Sequence, residues 1–524
     1  MAHYSPIKQP RRSALARALQ AAVDGVRRYA PWISNSLGPV KRAASGVFYG
    51  WMAKGDRRNE SLHAAQMARW RAGFRAETHA EIDPATGSLF GADGVVATTL
   101  RSRSVSAAPS VGVLHCIGGL GPGGAERQLC LLMQGARRDG VPNTLLTLRP
   151  LKGADGHYRD RALASADRVV LVEEAESMSK GLEIDAGVFT LLQRLPGGYV
   201  DDVRRIWAAC SHLRPTVLHA WLDPNNICGA IGAVLAGVPR IVLGLRNVSP
   251  RHFPHLLLPE MRELYAELAR VEPHDRIRWI ANTAAGAKDY AEWIGMPVER
   301  IRVIHNGLDE ASLDGAAQGR TVARGGGVGG GVGGGDRAGV RRSIGVSADA
   351  PILLGVFRLS DEKRPLFWLE LVERVLRETP QAWAVHVGDG VMEREFAARL
   401  RASPMRERIR HLGRRDDVHE LMAASEVILL ASRAEGMPNV LLEAQALGCV
   451  PVATAVGGAP DAVESGIGGE LRGADDAEGL VSATISLLRD PERRARMAAA
   501  GRERVRRRFS VRAMVDATRE VWAL

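Results

Sequence analysis

A chain of 524 residues, 46% hydrophobic and 25% charged, has the length for two ordinary domains with extra segments and the composition of a globular protein. Its net charge of +11 is uneven: residues 1–110 hold 16 Lys and Arg against 7 Asp and Glu, and the near-neutral remainder argues against a nucleic-acid-binding body. No run of about 18 apolar residues marks a membrane span, no signal-peptide core opens the chain, and five scattered cysteines (Cys116, Cys130, Cys210, Cys228 and Cys449) lack zinc or disulfide spacing, so a reducing cytoplasm is expected.

Residues 1–108 read as a basic extension, partly helical or disordered. Over 11–33, Leu15, Leu19, Val23 and Val26 share one side of a helix while Arg12, Arg17, Arg27 and Arg28 spread around the rest, a pattern that can lie on an anionic membrane surface. A second basic and aromatic stretch, 48–74, holds Tyr49, Trp51 and Trp70. The alternative for both is a solvated arm.

Order begins at Val111. Residues 111–116 (V-G-V-L-H-C) read as a strand, a glycine loop follows, and a helical pattern starts at Ala125. Strands at 143–148, 168–172, 216–219, 240–245, near Trp279 and at 301–304 alternate with loops and with helices at 201–213 and 227–235, which indicates a first parallel α/β domain over 109–310. The stretch 311–345, centred on R-G-G-G-V-G-G-G-V-G-G-G, cannot bury a core and reads as a Gly-rich linker. From Pro351 the alternation restarts, with strands at 352–357, 382–387, 409–412, 426–430 and 450–453 and helices at 366–376, 392–400 and 418–423. This is a second α/β domain, 346–505, and 506–524 is expected as a last helix that crosses back to the first. Two such domains imply a cleft, and ligands of open parallel sheets bind beyond the carboxyl ends of the strands.

The most informative stretch is 432–460. It sets Glu435 and Glu443 eight residues apart around a helix start, with Pro438 in the favoured first turn and Gly448 as a stop. Val440, Ala444 and Leu447 form an apolar stripe, and Glu443 lies on that buried side, where a carboxylate needs donors or costs several kcal/mol, roughly. Glu435 is up to about 12 Å from it, comparable with the span from a hexose to a ribose across a diphosphate. The N–H groups of 437–440, Pro438 excepted, stand between them at a helix N-terminus that attracts anions.

Other strand ends carry further chemistry. Gly119, Gly121 and Gly124 make a formal G-x-G-x-x-G, either a dinucleotide fingerprint or a loop of exposed N–H groups suited to a phosphate. In the dinucleotide reading, Arg149 replaces the acid that NAD would want and points to NADP. Arg358, just after a strand, and Lys363, before a helix, either clamp a diphosphate or form a solvated charged loop. H-V-G-D-G at 386–390 ends a strand with glycines, where backbone must approach closely.

E-G-M-P-N-V-L-L-E matches the E-x7-E signature of the retaining glycosyltransferases of family 4. G-G-A-E-R (123–127), V-I-H-N-G-L-D (303–309), F-R-L-S-D-E-K, V-G-D-G and L-G-R-R-D-D-V (412–418) also resemble that family's pattern, in its order, so the chain is similar to members of the bacterial exopolysaccharide and capsule type over about 111–524. The resemblance implies the α/β GT-B fold, two Rossmann-like domains facing a central cleft. It implies that Glu435 contacts the donor sugar hydroxyls, Glu443 the nucleotide ribose, and Arg358 and Lys363 the diphosphate, with Gly124, Gly388, Gly436, Met437, Pro438 and Asn439 completing the donor site. No D-x-D stands in the sequence, so neither a metal nor another cofactor is expected. Many relatives carry H-x-H after the fourth strand; here His219 holds the first position and Trp221 the second, which leaves His219 either an acceptor-side residue or a core residue, with Asn225 beside it. The Phe-Gly common within E-x7-E is Met437 and Pro438 here.

The expected function is transfer of a hexose from a UDP- or GDP-sugar to a lipid-linked or polysaccharide acceptor in cell-surface polysaccharide synthesis, in the cytoplasm at the inner face of the plasma membrane, with no nucleic-acid partner. An NADP-dependent oxidoreductase and a non-catalytic sugar-nucleotide-binding protein are the rivals.

Overall fold

The structure is a computed structural model that describes residues 111–195, 197–253, 257, 261–271, 276–310, 313 and 337–523. All of these belong to one compact unit, Ala85–Leu524. The basic stretches 11–33 and 48–74 lie outside the described residues.

The first domain is built on seven strands: β1 (Val111–Ile117), β2 (Asn143–Thr147), β3 (Arg168–Val170), β4 (Pro215–Trp221), β5 (Arg240–Leu245), β6 (Ile277–Ala281) and β7 (Ile301–Val303). They pair in parallel in the order β3-β2-β1-β4-β5-β6-β7. Chain order reverses between β1 and β4, which opens a crevice at the carboxyl ends of these two strands. Helices cover both faces, so β2 is buried at all five positions, and its run of Asn, Thr, Leu, Leu and Thr shows no alternation.

Helices also fill connections that read as loops from the sequence: Arg159–Ser165, Val172–Ser179, Ala186–Arg194, Met261–Val271 and Ala284–Ile294. The last has local cause for its limits. Thr283 caps its start by accepting from the Gly286 N–H at 3.0 Å, and Gly295 ends it with φ 75°.

The second domain holds β8 (Ile352–Val356), β9 (Trp383–Val387), β10 (Ile409–His411), β11 (Val427–Leu430), β12 (Val450–Thr454) and β13 (Glu470–Arg472), again parallel, in the order β10-β9-β8-β11-β12-β13. Its switch point lies between β8 and β11. Gly355 on β8 lets Trp368 pack flat on the strand, since a Cβ there would stand 2.6 Å from the indole, and the indole N–H donates to the Leu429 carbonyl at 3.1 Å. Truncating this fully buried ring to Ala would cost about 3–5 kcal/mol.

Helix Arg337–Ser343 lies inside the stretch 311–345 read as linker. It packs on the second domain: the buried Arg341 guanidinium donates to the Ala424 carbonyl at 3.0 Å and to Glu426 at 2.7 Å. Neighbouring arginines on a short polar segment gave no apolar stripe by which to see this. At the other end, the C-terminal helix Val511–Trp522 packs against helix Gly124–Arg138 of the first domain, where a Cβ on Gly135 would meet Val515 at 2.4 Å. Met514, Val515, Val521 and Trp522 join the core beneath β1 and β4, and Arg512 and Arg519 both pair with Asp139.

Candidate functional site

Both switch points face one cleft of about 1260 Å³. On the wall formed by the second domain, β11 runs into the turn that carries Glu435, and Asn439–Leu447 follows as a helix ended by Gly448 at φ 84°. Glu435 is only 6% exposed, and its Oε1 accepts from Lys363 Nζ and from Ser432 Oγ, both at 2.6 Å. Lys363 is aimed there by a one-turn helix, Asp361–Lys363, which the left-handed Arg364 (φ 52°) and Pro365 bring to a stop. Gly457 is required behind this turn, because at φ 51° its Cβ would lie 1.8 Å from the Glu435 carbonyl oxygen.

Arg358 donates to Glu362 at 3.0 Å, and Ser360 Oγ donates to the same oxygen at 2.6 Å. Burial alone would raise the Glu362 pKa, but these hydrogen bonds and its own backbone contact outweigh it and hold the carboxyl below its ordinary range. The Arg358 guanidinium remains largely exposed toward the cleft, and its charge acts on Glu126 of the opposite wall, whose pKa burial nevertheless raises.

The first domain supplies that opposite wall through the N-terminus of helix Gly124–Arg138 and the loops after β5 and β7. The two walls touch. A Cβ on Gly124 would stand 2.8 Å from the Asn439 amide nitrogen, and one on Gly436 would stand 2.6 Å from the Arg246 carbonyl. Asn306 Nδ2 donates to Asn439 Oδ1 at 2.7 Å. Arg127 crosses the cleft to Glu443, which His419 Nε2 approaches at 3.4 Å from the other side. Burial works against the charge on Arg127, yet Glu443 prevails and raises its pKa. The carboxylate on the buried helix face is therefore met by a nitrogen-bearing side chain from each domain.

The structure brings Glu435, Glu443, Arg358, Lys363, Gly124, Gly436, Met437, Pro438 and Asn439 to this cleft. It takes three other candidates elsewhere. His219 sits in the core, fully buried, with neither ring nitrogen hydrogen-bonded; it stacks on Trp221 at 4.8 Å between ring centroids and faces His115 at 5.5 Å. Burial pushes its pKa well below the ordinary value and keeps it neutral. Asn225 is spent on the Trp221 carbonyl, at 2.8 Å. Gly388, at φ 139°, makes its close approach to the Phe357 carbonyl, 2.0 Å from where a Cβ would be, and to the Gly413 carbonyl through its N–H at 2.8 Å. Arg149, the residue behind the NADP reading, is paired with Asp202 at 3.1 Å.

Sequence reasoning missed Arg127, His419, Arg246 and Asn306. Arg127 and Asn306 lie inside motifs that were recognised, but their spacing carries no sign that one meets Glu443, 316 residues away, and the other Asn439, 133 away. Arg246 and His419 follow a strand and open a helix with no motif of their own.

Among the described residues no helix is long and apolar enough to cross a membrane, and no group of three or more His, Cys, Asp or Glu could hold a metal ion.

Residues 336–504 match the family model described as Glycosyl transferases group 1, and residues 122–312 match the one described as Glycosyltransferase Family 4. The Vi polysaccharide biosynthesis protein VipC/TviE of Salmonella typhi is 28% identical over 379 residues, which are 69% of this chain and 62% of that protein. N-acetyl-alpha-D-glucosaminyl L-malate synthase of Bacillus anthracis is 31% identical over 170 residues, 32% of this chain and 44% of that protein. The chain thus spans between about two fifths and three fifths of the length of these relatives. Among solved structures, HepE from Anabaena in complex with UDP and glucose superposes with a TM-score of 0.60 at 22% identity, covering 79% of this chain and 99% of that one. A glycosyltransferase involved in lipopolysaccharide biosynthesis, WaaG, gives 0.53 at 16%, covering 78% and 99%. The two-domain GT-B architecture is borne out by these likenesses. Both family matches fall on the two domains that form the cleft: the first domain carries a family 4 glycosyltransferase domain and the second a group 1 glycosyltransferase domain.

Proposed function

We propose that the chain is a retaining glycosyltransferase that moves a sugar of the hexose class from a nucleotide diphosphate donor to a lipid-linked or polysaccharide acceptor. The observation that carries this is the Lys363–Glu435 pair, at 2.6 Å, on the same cleft as Arg358 and Glu443. A donor laid along this wall would put its ribose hydroxyls on Glu443, its diphosphate on Arg358 and Lys363, and its sugar at Glu435. The ion pair of Glu443 with Arg127 occupies the ribose position until the donor takes over the carboxylate.

In the step itself the bond from the anomeric carbon to the diphosphate oxygen breaks and its electron pair leaves with the phosphate. Arg358 and Lys363 stabilise that charge, in the way preorganised cations do at a developing anion. Glu435 lies against the positive charge that grows on the sugar ring. The acceptor hydroxyl enters on the same face, gives its proton to the departing phosphate oxygen, and closes the new bond with the anomeric configuration kept. The leaving group is neutralised by side chains, so this reading calls for no metal and no cofactor beyond the donor. The relatives that act in polysaccharide and lipopolysaccharide synthesis support an acceptor of that kind. A peripheral place at the cytoplasmic face of the membrane would follow from the basic residues of 1–110.

Thermal-shift screening against UDP- and GDP-sugars, followed by NMR of the product anomeric proton, tests the proposal. Stabilisation by one nucleotide series and a product of unchanged anomeric configuration are expected. Inversion, or no binding of any nucleotide sugar, would contradict it.

A further inference from the structure

Arg246 follows β5 and forms part of the cleft wall. Its guanidinium lies over the Trp221 ring, 4.7 Å from the centroid, and donates to Asn306 Oδ1, while Nε is buried without a partner. The loop is held firmly, because the Arg246 carbonyl accepts from Asn282 Nδ2 at 3.0 Å. That carbonyl also abuts Gly436, next to Glu435, so Arg246 stands at the end of the cleft where the donor sugar is placed by the reading above.

Arg246 combines burial with the lack of an anion beside it. Arg127, Arg161, Arg358 and Lys363 line the same cleft, and each is paired with a carboxylate: Glu443, Asp309, Glu362 and Glu435. Among the described residues no carboxylate lies within the 4.0 Å of an ion pair from Arg246. Burial, with nothing to offset it, pushes its pKa down to about 10, which still leaves it charged at neutral pH. A desolvated, uncompensated guanidinium costs folding free energy, and an anionic ligand would recover that cost on binding. The indole beneath and Asn306 at one side fix the plane of the fork, a geometry suited to two parallel hydrogen bonds to a planar carboxylate. The diphosphate has Arg358 and Lys363 on the other wall.

We propose that Arg246 reads a carboxylate on the transferred sugar, so that the donor is a nucleotide-linked uronic acid. The inference rests on the nucleotide-sugar reading of the cleft and narrows its substrate class.

Isothermal titration of the full chain with UDP, UDP-glucose and UDP-glucuronate, on the native protein and on Arg246→Gln and Arg246→Lys, tests it. The native chain should bind UDP-glucuronate at least about tenfold more tightly than UDP-glucose, the scale of a hydrogen-bonded pair with a charged group. Arg246→Gln should abolish that preference and leave UDP affinity unchanged, and Arg246→Lys should retain part of it. Equal affinity of the native chain for the two sugars overturns the proposal, whether or not either variant folds. Weaker binding of UDP itself to Arg246→Gln, at an unchanged melting temperature, also overturns it, because the guanidinium then serves the diphosphate. Where the thermal-shift screen selects the GDP series, the same titration is run with GDP, GDP-glucose and GDP-glucuronate; failure of the native chain to bind either nucleotide would remove the nucleotide reading, and the proposal with it.

Discussion

Replacing Lys363 with Ala separates stability from chemistry at the centre of the cleft. Lys363 provides one of two hydrogen bonds to Glu435 Oε1, each of 2.6 Å, and the two side chains are 21% and 7% exposed. Breaking a fully buried pair costs about 3–5 kcal/mol; the retained Ser432 bond and the partial exposure of Lys363 reduce this to about 2 kcal/mol. The reaction should suffer more, by about 10²–10³ in kcat, since a cation at the leaving group acts mainly in the transition state. In urea unfolding the double variant Lys363→Ala/Glu435→Gln should regain most of the lost stability, because no buried carboxylate is left orphaned. In a donor turnover assay it should regain nothing. Recovery of activity along with stability, or a kcat for Lys363→Ala within a few-fold of native, would refute the catalytic role and leave the lysine as Glu435's structural partner.

Three further outcomes follow from the same geometry. Arg127→Met removes the side chain that competes for Glu443, so calorimetry should find UDP binding tighter, by about tenfold for each 1.4 kcal/mol of released coupling; weaker binding would mean that Arg127 itself holds the nucleotide. His219→Phe swaps one buried, neutral ring for another of similar shape, so it should cost less than about 1.5 kcal/mol in stability and leave the pH profile of kcat unchanged. A general acid or base at that position would instead show a loss of about 10²–10⁴. Glu362 has a folded pKa below its ordinary value of 4.5, so its contribution to stability is complete above that pH and is lost as pH falls through the folded value. The urea midpoint of the native chain should therefore exceed that of Glu362→Gln at pH 7, and the two should converge as the pH drops well below 4.5; a gap that persists in acid would contradict this.

The alternation of strands and helices was legible because parallel strands covered on both faces make short apolar runs, and β5 and the helix Val418–Ala423 fall at the residues expected. The placement of Glu443 was also legible: three residues after Val440 and four before Leu447, a helix can put it only on the buried side. Helices such as Ala186–Arg194 and Ala284–Ile294 were missed although Asp185 and Thr283 cap them, since a cap without a long apolar stripe resembles any polar loop. Cross-domain partners were beyond reach for a different reason. Nothing local to Arg127 or Arg246 encodes which surface the other domain will present, whereas the burial of His219 depended on β4 continuing two residues further than expected, through Trp221.

The most direct measurement is a crystal structure of the chain with UDP bound. It should find the ribose hydroxyls on Glu443 with Arg127 displaced, and the diphosphate between Arg358 and Lys363. A nucleotide bound elsewhere, with the Arg127–Glu443 pair still closed, would contradict the account.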